Sequence, residues 1–139
     1  MPLARVSFCI LCEAVRPEPR GKANILGFYG VLPHANMIVG EIGKPIPELM
    51  FLVGLRGPSD PFSLGARIIS PDKSILASIE KEQAPKLSAL EPERGAMGGL
   101  GFALLSFPLE GLYTIQILIN DKESHSTTFT VRQGSLPPG

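Results

Sequence analysis

A chain of 139 residues with 44% apolar content is long enough to bury a core and short enough to form one domain. Its thirteen basic and thirteen acidic residues cancel to a net charge of +0, and the basic ones are scattered along the chain. Phosphate backbones reward clustered positive charge, so this balance argues against a nucleic-acid partner.

The first dozen residues invite a targeting check. Val6–Cys12 is apolar and follows Arg5, but Glu13 and Arg16 interrupt the run and no small-x-small cleavage site follows. Cys12 also lacks the small preceding residue of a lipoprotein signal. No run approaches the ~20 apolar residues that a membrane span needs. The expectation is a soluble, cytoplasmic protein with no membrane contact. Only 19% of residues are charged, so part of the surface is expected to be covered by a homo-oligomer or a protein partner.

Fifteen glycines and fourteen prolines suit many short strands and turns. Arg5–Arg16 reads as a long first strand, ended by Pro17, Pro19 and Gly21. Ile25–Leu32 is a second, with Gly27 and Gly30 spaced as bulges or close-packing points. Met37–Val39 is a short edge segment, and Gly43–Pro47 is a loop. Glu48–Arg56 is almost continuously apolar, which predicts a central strand buried on both faces. The run Gly57–Pro61 admits no regular structure. Leu64–Ser70 and Ser74–Ile79 flank a tight Pro71-Asp72-Lys73 turn and form a hairpin. Residues 80–99 are expected to be a long flexible loop, with Gly95–Gly99 mobile by composition.

Three strands close the chain: Leu100–Phe107, Leu112–Asn120 and Ser126–Arg132. In the middle one the period of two puts Tyr113, Ile115, Ile117 and Ile119 on one face and Leu112, Thr114, Gln116 and Leu118 on the other. Asn120–Glu123 supplies a polar hairpin turn. Residues 133–139, rich in proline, are expected to be a frayed tail. The whole predicts an all-β, immunoglobulin-like or Greek-key sandwich of about seven to nine strands, in one domain spanning residues 1–139. Gly111, Tyr113 and Ile115 stand where such sandwiches place a tyrosine corner. The antibody inter-sheet disulfide is not expected: the chain has no tryptophan, and Ile115 occupies the place of the second cysteine.

Residues able to carry chemistry are few. Cys9 and Cys12 form a Cys-x-x-Cys, but within a strand positions three apart face opposite ways. They then cannot readily chelate one ion or close a disulfide, even with His34 and His125 as further ligands. Neither histidine has an evident partner for acid–base work, so both are expected at the surface. Ser59, Ser63, Ser106, His125 and Asp121 could be combined into a triad on paper, but no nucleophile-elbow motif supports it. Asp60, Asp72 and Asp121 occupy turns, as calcium-binding loops would require, yet no turn holds two of them and Asp72 falls at the opposite end from Asp60. The glycine-rich Gly95–Gly101 precedes a strand rather than a helix, and lacks the lysine of a phosphate loop. Glu13, inside an apolar strand, is expected to point outward or to pair with Arg16 or Lys22.

Two stretches carry a family resemblance. Phe8-x-x-x-Cys12-Glu13-Ala14, followed by Gly21-Lys22 and by Ile25-Leu26-Gly27-Phe28-Tyr29-Gly30, resembles the opening of a family of short, uncharacterised bacterial all-β proteins. Phe107-Pro108-x-x-Gly111-x-Tyr113 and Phe129-Thr130-Val131 are similar to its close. The resemblance implies a sandwich and carries no catalytic residues. Phe102 to Ile115 also resembles the penultimate-strand region of immunoglobulin-like domains, with Leu109 in place of the usual acidic residue.

The reading is a non-enzymatic sandwich without cofactor, metal or catalytic residues, acting in protein interaction or assembly. Apolar strand edges and proline-rich rims are its expected contact surface. The alternatives are a small-ligand module, for carbohydrate for instance, and an enzyme built on His34, Glu13 or the cysteines. The absence of tryptophan and the two tyrosines weigh against the carbohydrate reading.

Overall fold

The computed structural model describes residues 3–80 and 82–134. Among these, ten strands form two sheets. They are β1 (Arg5–Glu18), β2 (Lys22–Val31), β3 (Asn36–Val39), β4 (Ile46–Arg56), β5 (Phe62–Ile69), β6 (Ile75–Ile79), β7 (Lys86–Leu87), β8 (Gly95–Leu105), β9 (Gly111–Ile119) and β10 (Lys122–Gln133). One sheet has the order β2-β1-β4-β8. The other has the order β3-β10-β9-β5-β6, with β7 pairing on β5.

This order is immunoglobulin-like. Strands β1, β4 and β8 occupy the places of A, B and E, and β5, β9 and β10 those of C, F and G, with β6 as C′. The additions are β2, a hairpin return on β1, and β3, which pairs in parallel with β10. The tyrosine corner is formed: the Tyr113 hydroxyl donates to the Leu109 carbonyl at 2.7 Å and accepts from the Leu109 N–H at 3.2 Å. A buried phenol needs such partners, and these also fix the chain's entry into β9.

The core follows the alternation. Tyr113, Ile115, Ile117 and Ile119 face inward from β9, and Leu64, Ala66 and Ile68 from β5. Across the gap stand Cys9 and Leu11 of β1 and Leu49, Phe51, Val53 and Leu55 of β4. Phe129 of β10 ties the layers together. Its ring stacks on Tyr113 (centroids 5.7 Å apart) and leans on Phe51 of the opposite sheet at 5.6 Å.

Strand β4 lies between β1 and β8, as its unbroken apolar run predicts, and begins at Ile46, inside the expected loop. The Pro71-Asp72-Lys73 hairpin is present, closed by the Ser70 N–H on the Ser74 carbonyl at 2.8 Å. The last hairpin is tighter than expected. Asn120 (φ 52°) and Asp121 (φ 67°) alone make the turn, so β10 starts at Lys122. Asn and Asp tolerate positive φ, which a two-residue turn of this kind requires.

Four further expectations are corrected. Strand β1 runs through Pro17 to Glu18, because Ala14–Glu18 pairs only with β2 and the prolines have no ladder to break on the other side. Residues 80–99 are not a continuous flexible loop: Lys86–Leu87 pairs with β5, and Gly95–Gly99 opens strand β8. Those glycines serve close packing. A Cβ on Gly98 would stand 2.5 Å from Leu64, and one on Gly99 or Gly101 would stand 3.2 or 3.3 Å from the Met50 side chain. In the expected frayed tail, Gln133 still belongs to β10 and the Gly134 N–H donates to the Val39 carbonyl at 3.0 Å. Residues 135–139 lie outside the described residues. The strand count is ten, above the seven to nine expected, because the two-residue β7 forms inside the expected loop.

Candidate functional site

The two sheets differ in what they turn outward. On the six-stranded sheet, Thr114 and Gln116 of β9 stand beside Thr128 and Ser126 of β10, with Arg67 of β5 next to Gln116. The centre of that face is polar, as on a solvated antiparallel sheet, and Ile38, Ile75 and Leu112 are exposed toward its margins.

The outer face of the four-stranded sheet has no such character. Residues directly paired across antiparallel strands share a face, so the register defines it. Phe8, Ile10, Cys12 and Ala14 of β1 pair with Gly54, Leu52 and Met50 of β4 on one side, and with Val31, Phe28 and Leu26 of β2 on the other. Beyond β4, the pairing continues to Met97, Gly99, Gly101 and Ala103 of β8. The β4 partner of Ala103 is Glu48, at one end of the face, and no charged side chain stands between it and Arg56 at the other end. Several are open: Phe28 is 58% exposed and Met97 56%, with Leu26, Val31 and Phe8 also exposed. A bulge between Leu11 and Cys12, opposite Tyr29, puts both Phe28 and Val31 on this side.

The floor of the face is smooth. The Phe8 ring lies across Gly54, leaving no room there for a Cβ, and Met50 lies across Gly99 and Gly101. Leu52, between them, is only 5% exposed. The rim is charged. At one end Arg5 and Arg56 pair directly across β1 and β4, and the Arg5 guanidinium donates to the Gly57 carbonyl at 3.2 Å. At the other end Arg16 approaches Glu48 at 4.0 Å, both well exposed. Past that ion pair the β1–β2 ribbon extends alone, pinned by Asn24 donating to the Glu18 carboxylate.

The residues singled out from sequence are placed as follows. Cys9 faces the core and Cys12 the outer face, both free and buried, so the two thiols point apart as strand alternation requires. Burial, then the neighbouring Cys12, pushes the Cys9 thiol up to about 12. Burial also raises Cys12, whose thiol approaches the Met50 carbonyl at 3.7 Å. Thiolate is the reactive form, so neither group is poised as a nucleophile.

Glu13 is exposed and lies over Gly27, where a Cβ would stand 2.5 Å from its carboxylate carbon. The Tyr29 hydroxyl donates to it at 3.4 Å, and burial followed by this carboxylate raises the phenol. Of the two expected arrangements Glu13 takes the outward one, and it makes no ion pair with Arg16, which approaches Glu48, or with Lys22.

His34 is exposed in the β2–β3 connection, and His125 is half-buried on β10 opposite Ile117. Ser59 is buried, its hydroxyl accepting from the Leu90 N–H at 3.3 Å. Asp72 accepts from the Ser74 hydroxyl at 2.6 Å and from the Ser74 N–H, which holds its carboxyl below the usual range. Asp60 follows β4 and Asp72 follows β5, at opposite ends of the sandwich. Among the described residues no three His, Cys, Asp or Glu side chains gather as a metal site. A groove of about 600 Å³ between the β4–β5 connection and β7 is lined by Phe62, Ser63, Glu82, Lys86, Leu87 and Asn120. In it the Ser63 N–H donates to the Asn120 side chain at 3.1 Å. None of the singled-out histidines or cysteines lines it. No described helix is long and apolar enough to cross a membrane.

The outer face is the feature that strand-by-strand reading missed. Its signal was present: Phe8–Cys12 is apolar at consecutive positions, so β1 must be apolar on both faces there, although only one meets the core.

The profile of the family of unknown function DUF6941 matches residues 7–132, and the chain belongs to that family. No curated protein matches it in sequence. Among solved structures it is similar to an immunoglobulin-like protein from Pseudomonas aeruginosa (13% identity, TM-score 0.38, covering 93% of this chain and 96% of that one). It is also similar to an alkylpurine DNA glycosylase of Pseudomonas fluorescens bound to DNA containing an abasic site analog (15%, 0.45, 73% of this chain). A third is a beta-glucosidase from Listeria innocua in complex with glucose (10%, 0.48, 94% of this chain). The chain spans 28% of the glycosylase and 16% of the glucosidase.

Proposed function

We propose that this protein acts by binding another protein, as an interaction or assembly module, through the outer face of its four-stranded sheet, and that it is not an enzyme. The observation that carries this reading is the contrast between the two outer faces. One has Thr, Ser, Gln and Arg at its centre, with exposed Ile38, Ile75 and Leu112 around them. The other has no charge between its two charged ends and leaves Phe28 and Met97 more than half exposed. Contiguous apolar patches rimmed by polar residues mark interaction sites on soluble domains. The contact surface is thus a sheet face, rather than the strand edges that composition alone suggests.

The carbohydrate alternative finds less support. Sugar sites favour exposed aromatic rings beside hydrogen-bonding groups, and this face offers Phe8 and Phe28 with no polar side chain between them. The enzyme alternative needs an acid–base pair or an activated nucleophile, and the high thiol pKa of Cys9 works against one.

The test is the size of the protein in native extract from cells producing it, compared with Phe28→Asp and Met97→Asp. These substitutions lie on strands at opposite edges of the sheet and at exposed positions, so thermal melts should leave each variant folded. The wild type is expected to elute well above its monomer size and both variants near it. A wild type that elutes as a monomer, or variants that co-elute with a larger wild-type species, would overturn the reading.

A further inference from the structure

We infer that the occupant of this face is a second copy of the chain, the two sheets packing face to face with strand directions opposed. Each copy's Arg5 and Arg56 would then lie over the Glu48 end of the other. This rests on the face being a binding surface and adds what covers it.

The charges at the two ends carry the inference. Arg5 and Arg56 are directly opposed across β1 and β4, and both are exposed. Like charges at such a position repel. Among the described residues the ion pairs are Arg16–Glu48, Arg67–Glu80 and Arg94–Glu91, so neither of these arginines is in one. The opposite end of the same face offers a carboxylate held only loosely, Glu48, 60% exposed and 4.0 Å from Arg16.

A two-fold axis lying in the interface across the strands brings the cationic end of one copy over the Glu48 end of the other, twice. A two-fold axis along the strands would instead gather four arginines at one end. The surface is self-complementary in the first arrangement only, as an isologous dimer requires.

Size and net charge agree. Four strands about 4.8 Å apart, over the roughly ten residues from Arg56 to Glu48 and their neighbours, project about 600 Å². A standard interface takes about 800 Å² of accessible surface from each partner, and accessible area exceeds projected area on a surface carrying side chains. A net charge of +0 sets no long-range repulsion between copies.

The test is sedimentation of the purified full chain across a wide concentration range. The wild type is expected to show a monomer–dimer equilibrium, weakened at least about tenfold by Phe28→Asp or Met97→Asp. Arg56→Glu and Glu48→Arg should each weaken it, and the double variant should recover part of the loss. A purified monomer at every concentration would overturn the second copy as occupant. If the native-extract complex persisted in that case, the face would still be a binding surface with a different partner. If the extract also gave a monomer, both readings would fall. A dimer that tightened with Arg56→Glu would overturn the opposed arrangement. A dimer indifferent to Phe28→Asp and Met97→Asp would be built on another surface, and would overturn the inference.

Discussion

Phe129→Ala is expected to destabilise the protein by about 3–5 kcal/mol, the range for truncating a fully buried aromatic ring. Phe129 is fully buried on β10, and its ring reaches three others: Tyr113 on the same sheet, Phe107 before β9, and Phe51 on the opposite sheet. Removing it opens a void where the two layers meet. The neighbours cannot simply collapse, because Tyr113 is held by its hydrogen bonds to Leu109. Urea unfolding followed at equilibrium measures the loss, with Leu112→Ala as control. Leu112 is 57% exposed on the polar outer face, and its change should stay within about 0.5 kcal/mol. A loss below about 1 kcal/mol for Phe129→Ala would mean that the aromatic cluster does not join the sheets.

Stability is expected to fall steeply in alkali, in part through one thiol. Cys9 stands in the core, and burial, with Cys12 adding, moves its pKa from 9.0 to about 12. A raised pKa means that the folded state keeps a proton which the unfolded state gives up. The contribution is therefore complete below about pH 9. It declines by up to about 1.4 kcal/mol per pH unit above that, and is lost as the pH passes about 12. Tyr29 and Tyr113, also raised by burial, act in the same direction above their ordinary value of 10.0. Urea midpoints measured from neutral pH upward, for the wild type and Cys9→Ala, separate the thiol from the phenols. The variant begins lower because a cavity is left, but its slope above pH 9 should be shallower. Parallel profiles would show that Cys9 is not held protonated by the fold.

Much of this fold is legible in the sequence where one residue type has one physical use. The unbroken run of β4 marks a central strand, and it lies between β1 and β8. Tyr113 after Gly111 finds its carbonyl at Leu109. The alternation from Tyr113 to Ile119 sorts inside from outside without knowledge of the partner strands. Glycine is harder because it has two uses. Gly95–Gly101 has the composition of a mobile linker, yet its glycines leave room for Leu64 and Met50. Only the register of β8 on β4 shows which use applies.

The outer face was hidden for a related reason. Each of its strands looks ordinary when taken singly. It becomes a surface only when Phe28 is set beside Cys12, Cys12 beside Met50 and Met50 beside Gly101. The first of those pairings depends on the bulge at Tyr29, which shifts the register by one residue. Pairing order of this kind is a long-range property, and periodicity along one strand does not contain it.

The most direct test of the account is oxidative footprinting of Met97 in native extract, compared with the Phe28→Asp variant. Met97 is 56% exposed in the single chain and Met37 is fully buried in the core, so Met37 reports on unfolding and Met97 on cover. Met97 is expected to be protected in the wild type and to become reactive in the variant, with Met37 protected in both. Met97 oxidised in the wild type as fast as in the variant would show that nothing rests on this face, and would contradict it.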